Sequence, residues 1–310
     1  MTPIPSCSIV IPTQNRPKLL PIAVASALAA APPDGEVLIV DDNSAPAAAA
    51  NLSDITDPRL RIILNPGAPG VARARNLGLR NARADVVFFL DDDDRMHPHY
   101  CAHLLGDILP RHAVDYGHAA YALIKDGARL RRVTRGRTDG VIAKGASFRQ
   151  QACGFGMGFW IRKSTYLAVG PIDETLDTNE DTEYLLRLQA AGKRAWFSRR
   201  VAVDVCLHSG GTDQGHLTER TSDLRRARGF AHILTRHHDY LATQPAMRRF
   251  MRKRIIKKAV RARFPEMAET TIRQEALALE RLRLRAYFIV HCARAGASWT
   301  RLWRRVMART

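Results

Sequence analysis

Short β-branched and aromatic runs alternate with helix-like stretches through the first hundred residues, and this alternation leaves few architectures open. Residues 7–11, 37–40, 61–64 and 86–90 read as buried strands, because each is a short, nearly continuous apolar run. Residues 18–30 and 71–82 read as helices. The first is rich in Leu and Ala and closed by Pro32-Pro33; the second follows the turn Asn65-Pro66-Gly67-Ala68-Pro69-Gly70. Strands that alternate with helices predict a mainly parallel sheet, in which ligands sit beyond the carboxyl ends of the strands. The polar residues after each strand are therefore candidates for a site: Pro12-Thr13-Gln14-Asn15-Arg16, then Asp41-Asp42-Asn43-Ser44, then Asp91-Asp92-Asp93-Asp94.

Four consecutive aspartates at a strand end repel one another and call for a positive partner. A hard divalent cation, Mn²⁺ or Mg²⁺, fits carboxylate oxygens and keeps positions open for substrate phosphates; a solvated capping turn is the plainer alternative. The Asp41-Asp42 pair either caps a helix or accepts hydrogen bonds from a ribose or base. Arg73 and Arg75 either face a pyrophosphate or lie on a solvated helix face.

Charge separates the chain into two parts. The 310 residues carry a formal +18, yet residues 221–310 hold 22 Lys and Arg against six Asp and Glu, whereas the first 220 hold 26 against 24. A nearly neutral globular part thus precedes a basic, Arg-, Ala- and Leu-rich region expected to be helical. Apolar residues make up 46%, and no uninterrupted apolar stretch has the length of a membrane span. Five scattered cysteines without a C-x-x-C pair argue against a disulfide framework or a thiolate zinc site. They read as reduced, mostly core residues. The N-terminal segment has no basic region before its apolar run, so a cytoplasmic location is expected, with peripheral attachment to the inner face of the membrane as an added option.

Read in order, Ser8-Ile9-Val10-Ile11-Pro12-Thr13-Gln14-Asn15-Arg16-Pro17, Val40-Asp41-Asp42-Asn43-Ser44, Ala74-Arg75-Asn76-Leu77-Gly78 and Phe89-Leu90-Asp91-Asp92-Asp93-Asp94 resemble family 2 glycosyltransferases of the GT-A fold. The resemblance continues through Val169-Gly170-Pro171-Ile172-Asp173-Glu174 and Glu180-Asp181 and covers roughly residues 6–210. It implies an α/β GT-A domain with a Rossmann-like sheet: a nucleotide-sugar half over residues 1–100, an acceptor half over 101–217, and a basic helical extension over 218–310. Asp91 and Asp93 then match the D-x-D motif, with Asp93 the first metal ligand and Asp91 and His208 beside it. Pro12, Thr13, Asn15 and Asp42, with Asp41 as neighbour, would hold the nucleoside, for which uracil is the expected base. Arg75 and Asp92 are counted with the donor-binding residues. Asp181 matches the base that deprotonates the acceptor hydroxyl, although a first-turn carboxylate also suits a helix dipole. Gln14 and Pro171-Ile172 depart from the family pattern and leave the donor open.

The resemblance implies a metal-dependent, inverting transfer from a nucleotide sugar to a saccharide or lipid-linked acceptor of a surface polysaccharide. One base and one cation suffice for such a displacement, with no covalent intermediate. A haloacid-dehalogenase-like phosphatase is the alternative enzyme, because Asp91-x-Asp93 after a strand also resembles its nucleophile motif. A degenerate transferase fold that only tethers partners or membranes is the alternative outside catalysis. Trp160, in a Gly- and Phe-rich segment, either lines the acceptor pocket or packs in the core.

In the basic region, Met247, Phe250, Met251, Ile255 and Ala259 recur at helical spacing, interrupted by Arg254 and Lys258. Residues 246–263 could lie on an anionic membrane or turn the apolar stripe onto the catalytic domain. The apolar stretch 287–290 and the Trp299 and Trp303 pair suit either. No nucleic-acid reader motif is present, so nucleic acid is not an expected partner.

Overall fold

The computed structural model describes residues 6–134, 136–143, 146, 151–208 and 222–294. The first apolar run becomes β1 (Ser8–Thr13), whose alternation directs Ile9 and Ile11 to one face of a sheet and Val10 to the other. Ile9 and Ile11 meet α1 (Leu20–Ala30), which buries Leu20, Ala23, Val24 and Ala27. The chain returns through β2 (Glu36–Asp41), the single turn α2 (Ala48–Asn51) and β3 (Leu60–Leu64) to α3 (Val71–Asn81) on the opposite face, then enters β4 (Val86–Phe89). These four strands run parallel in the order β3-β2-β1-β4, as the alternation predicts. Gly78 permits the close approach of α3, since a Cβ there would lie 2.3 Å from Val10 Cγ1.

The second half of this domain extends the same sheet. It supplies β5 (Arg95–Met96), α4 (Tyr100–His103), β6 (Tyr116–Lys125), β7 (Ala128–Val133), β8 (Gly140–Val141), β9 (Trp160–Arg162), α5 (Lys163–Val169), α6 (Glu180–Ala190) and β10 (Ala195–Leu207). β9 runs antiparallel between β4 and β6 and so joins the two halves, while β6 and β10 pair in parallel. All five cysteines are free thiols, and Cys7, Cys101, Cys153 and Cys292 are buried.

The chain divides into two units, Met1–His216 and Leu217–Thr310. The described part of the second is helical: α7 (Asp223–Arg236), α8 (His238–Ala242), α9 (Pro245–Arg261), α10 (Pro265–Arg273) and α11 (Ala278–Arg294). Pro245 and Pro265 open their helices, where a missing N–H costs nothing. The structure corrects the membrane reading of residues 246–263. Met247, Met251, Ile255, Ile256, Ala259 and Val260 of α9 are buried, and Ile256, Ala259 and Val260 share a core with Ala227, Ile272 and Phe288. The helix buries Arg252 and Lys258 as well, through ion pairs to Glu275 (2.8 Å) and Asp223 (2.5 Å). A stripe covered by its own unit cannot also face lipid. Trp299 and Trp303 lie outside the described residues. Among the described residues, no helix is long and apolar enough to cross a membrane.

Candidate active site

The register of the parallel strands brings their carboxyl ends level, with Thr13 paired to Asp41 and Asp41 to Leu64. The loops that follow are tied to one another. Ser44 Oγ accepts from the Asn15 amide (3.0 Å), Asn15 Oδ1 accepts from the Ala45 amide (2.7 Å), and Asn43 donates to the Gly67 carbonyl (2.8 Å). Asn15 and Asn43 both adopt positive φ, which asparagine tolerates and which lets the loops turn sharply.

Several of the candidate residues take part in these ties. The Asp41 carboxylate is buried and accepts from the amides of Ser44 (2.8 Å) and Ala48 (2.7 Å), so it caps α2 and shapes its loop. Asp42 is also buried, accepting from Asn65 Nδ2 (2.6 Å) and the Gly70 amide (2.7 Å), and so fixes the turn before α3. Pro12 is buried within β1, beyond Val10, the last residue of β1 paired with β4, so its missing donor interrupts nothing there. Thr13 and Asn15 remain at the edge, and the Thr13 hydroxyl donates to Asp92 Oδ2 (2.7 Å).

The four aspartates take four different environments. Asp91 is the most open, with 39% of its side chain exposed. Burial, then the charge of Asp93, raises Asp92 to a pKa of about 7, against the opposing pull of Thr13 and Arg16. Asp94, accepting from the Cys206 amide (2.9 Å), is raised well above the carboxylate range by burial and by Asp93 and Asp91. Asp93 is buried beside Arg16, whose Nη2 lies 3.7 Å from Asp93 Oδ2, and His208 Nε2 lies 3.3 Å from the Asp93 carbonyl oxygen. Among the described residues, no three His, Cys, Asp or Glu side chains converge as a ready-made cation cage. The donor set still suits a cation that takes one or two carboxylates and completes its shell with phosphate and water, because burial and the neighbouring aspartates hold Asp92 and Asp94 above the ordinary range, a repulsion that positive charge relieves.

Arg75 links this cluster to the start of α6. It is 6% exposed and so does not lie on a solvated helix face. Its Nη2 donates to Asp91 Oδ1 (2.9 Å), its Nη1 donates to Glu180 Oε1 (2.7 Å), and its guanidinium lies over the Phe155 ring. Burial lowers its pKa, but the carboxylates of Asp91 and Glu180 outweigh this and hold it raised and charged. Beside Glu180, Asp181 is pushed up to about 7 by burial and by the Glu180 charge, although the Thr182 amide and Arg75 pull it down. A carboxylate that titrates near neutrality suits proton transfer.

The Gly-rich segment before β9 lies under these carboxylates. A Cβ at Gly156 would sit 2.0 Å from Asp91 Oδ2, and one at Gly154 would sit 3.6 Å from Asp181 Oδ2. Gly156→Ala must displace the Asp91 carboxylate, and a displacement of that size is expected to reduce turnover by about 100-fold in steady-state assays. Trp160 is 1% exposed and belongs to the core, not to an open pocket.

Arg16 and Asn76 belong to the sequence motifs, and the structure gives each a role. Arg16 lies against the aspartates as a counter-charge, and an Arg in the first strand-end loop opposite an acidic run was the signal available. Asn76 is fully buried. Its Nδ2 donates to the Ile172 carbonyl (2.8 Å) and Glu174 Oε1 (2.9 Å), and its Oδ1 accepts from the Ile172 amide (2.9 Å). With Arg73, which pairs with Glu174 at 3.2 Å, it clips the Pro171–Glu174 turn to α3. Asn76→Ala leaves the buried Ile172 amide and carbonyl without this partner and is expected to cost about 2 kcal/mol in urea unfolding.

Comparison with known proteins agrees with this geometry. The family model described as glycosyl transferase family 2 matches residues 8–166. An uncharacterized glycosyltransferase of Haemophilus influenzae is 28% identical over 183 residues, covering 58% of this chain and 61% of its own length. An Escherichia coli protein named UDP-Glc:alpha-D-GlcNAc-diphosphoundecaprenol beta-1,3-glucosyltransferase WfgD is 31% identical over 87 residues, covering 28% of this chain and 34% of its own. The chain thus spans about three fifths or less of these relatives' lengths. The crystal structure of Staphylococcus aureus TarS 1–349 in complex with UDP-GlcNAc superposes with a TM-score of 0.68 over 95% of this chain and 91% of that one, at 15% identity, which shows the shared fold.

Proposed function

The chain belongs to glycosyl transferase family 2, and on that premise we propose that it transfers a sugar from a nucleotide sugar, with UDP the expected nucleotide, to a hydroxyl of a saccharide or lipid-linked acceptor in surface polysaccharide synthesis. The observation that carries this reading is the Arg75 bridge, which ties the Asp91–Asp94 run to Glu180-Asp181 at one sheet edge. A diphosphate leaving group and an acceptor base are needed within one sugar's reach of each other, and this bridge sets the two carboxylate groups on either side of one cation. UDP and a diphosphate-linked lipid acceptor are the chemistry named for the Escherichia coli relative.

In this reading Asp181 takes the proton of the acceptor hydroxyl as its oxygen attacks the anomeric carbon, and the bond to the diphosphate breaks on the opposite face. Arg75 draws the Asp181 pKa down against burial and Glu180, and fixes Asp91. Thr13 orients Asp92, and Asn15 holds the two nucleoside-side loops together. Asp93 and Asp91, with His208 alongside, would hold Mn²⁺ or Mg²⁺. When bound, such a cation supplies charge neutralisation to the departing diphosphate. The phosphatase alternative loses its basis, because the run it rested on ends the fourth strand of a family 2 domain and Asp91 is engaged by Arg75.

Calorimetric titration of nucleoside diphosphates with and without Mn²⁺, on the wild type and on Asp93→Ala, tests the reading. Metal-dependent binding of UDP that Asp93→Ala loses is expected. Failure of every diphosphate to bind folded wild-type protein would overturn it.

A further inference from the structure

The last described helix, α11, has two different faces. Leu284, Phe288 and Cys292 point into the core of their unit. The opposite face exposes Leu279 (60%), Leu282 (62%), Ile289 (40%) and Val290 (46%), with Ala286 and Ala293 exposed between them. At helical periodicity these six side chains fall within an arc of about 100°, a continuous apolar stripe turned to solvent. Arginines border it on both sides: Arg283 and Arg294 along one edge, Arg285 along the other, all exposed. From residue 281 to residue 310 the chain has eight Arg and no Asp or Glu.

That pattern selects among the surfaces able to cover an apolar stripe. A second copy related by a two-fold axis would bring these arginine borders toward their own equivalents, where like charges oppose association. A surface that is apolar beneath and anionic above has no such conflict. We propose that this face of α11 docks on an anionic lipid surface, with Leu279, Leu282, Ile289 and Val290 entering the headgroup boundary and Arg283, Arg285 and Arg294 meeting lipid phosphates. The helix has 17 residues and basic borders, so it lies in the interface and does not span it. The docking face differs from the α9 stripe considered from sequence, which is buried, and it does not depend on the transfer chemistry.

Co-sedimentation of the full chain with vesicles tests the docking. Vesicles of phosphatidylcholine mixed with phosphatidylglycerol are expected to bind the wild type, pure phosphatidylcholine to bind far less, and added salt to weaken the complex. Leu282→Glu/Ile289→Glu is expected to lower binding at least about tenfold, since each charge must enter the headgroup boundary. Arg283→Gln/Arg285→Gln is expected to lower it severalfold, whereas Arg228→Gln/Arg273→Gln, which removes the same charge elsewhere on this unit, leaves it unchanged. Circular dichroism checks each variant's fold, and Leu282→Ala/Ile289→Ala replaces the Glu pair if that pair loses helicity. Absence of wild-type binding to the anionic vesicles would overturn the proposal. So would full binding by the stripe variant, or equal loss in the Arg228→Gln/Arg273→Gln control. A dimer in vesicle-free solution that Leu282→Glu dissolves would assign the face to a second copy and overturn it as well.

Discussion

Asp181→Asn is expected to lower kcat by about 10²- to 10⁴-fold, the usual contribution of a positioned general base, while making the protein more stable at pH 8. The second effect follows from the same environment as the first. Burial and Glu180 raise the Asp181 pKa from 3.8 to about 7 in the folded state. Between these values the folded chain holds a proton that the unfolded chain releases, so stability falls as pH rises through this window, and the whole cost is present above pH 7. Asn carries no such cost. Thermal melts of the two proteins should therefore nearly coincide at pH 4 and separate at pH 8, with the variant higher. In the wild type, kcat/KM should rise with pH through about 7 and then level, because the active base is the deprotonated form.

Arg75→Met should produce the other large change. The guanidinium is the cation that Asp91 and Glu180 share at 2.9 and 2.7 Å, and both it and Glu180 are buried. Removing one partner of a buried ion pair leaves charge uncompensated and costs about 3–5 kcal/mol, which urea unfolding would register. The pH profile reports the functional part. Arg75 pulls the Asp181 pKa down, so its loss should move the midpoint of the kcat/KM profile to higher pH. Arg75→Lys should recover charge but not the fork that reaches both carboxylates, and should fall between the two. A purely structural Arg75 would lower stability without moving the midpoint.

Much of the sheet was legible because its determinants are local. Residues 7–11, 37–40, 61–64 and 86–90 are apolar runs flanked by turn residues, and they became β1 to β4 within two residues at each end. The positions of the aspartates, of Thr13 and of Glu180-Asp181 followed from strand ends and motif order. The polar partners did not follow. Arg75 meets Glu180 across 105 positions and Asn76 meets Ile172 across 96, and no short-range pattern states which buried donor faces which acceptor. Asp41 and Asp42 illustrate the same limit, since a strand-end carboxylate can bind a ligand or cap its own loop, and only the tertiary arrangement shows which amides donate to each. The basic region failed for another reason. The stripe on α9 was real, but helical spacing does not reveal whether neighbouring helices cover it, and α7, α10 and α11 supply that cover.

The central claim is a single displacement at the sheet edge, with Asp181 as base and no covalent sugar intermediate. The most direct measurement is proton NMR of the anomeric signal of the first product formed from a nucleotide sugar of known configuration, recorded before mutarotation, with water or a saccharide as acceptor. Inversion at the anomeric carbon, lost together with turnover in Asp181→Asn, is the predicted result. A product that retains the donor's anomeric configuration would contradict the account.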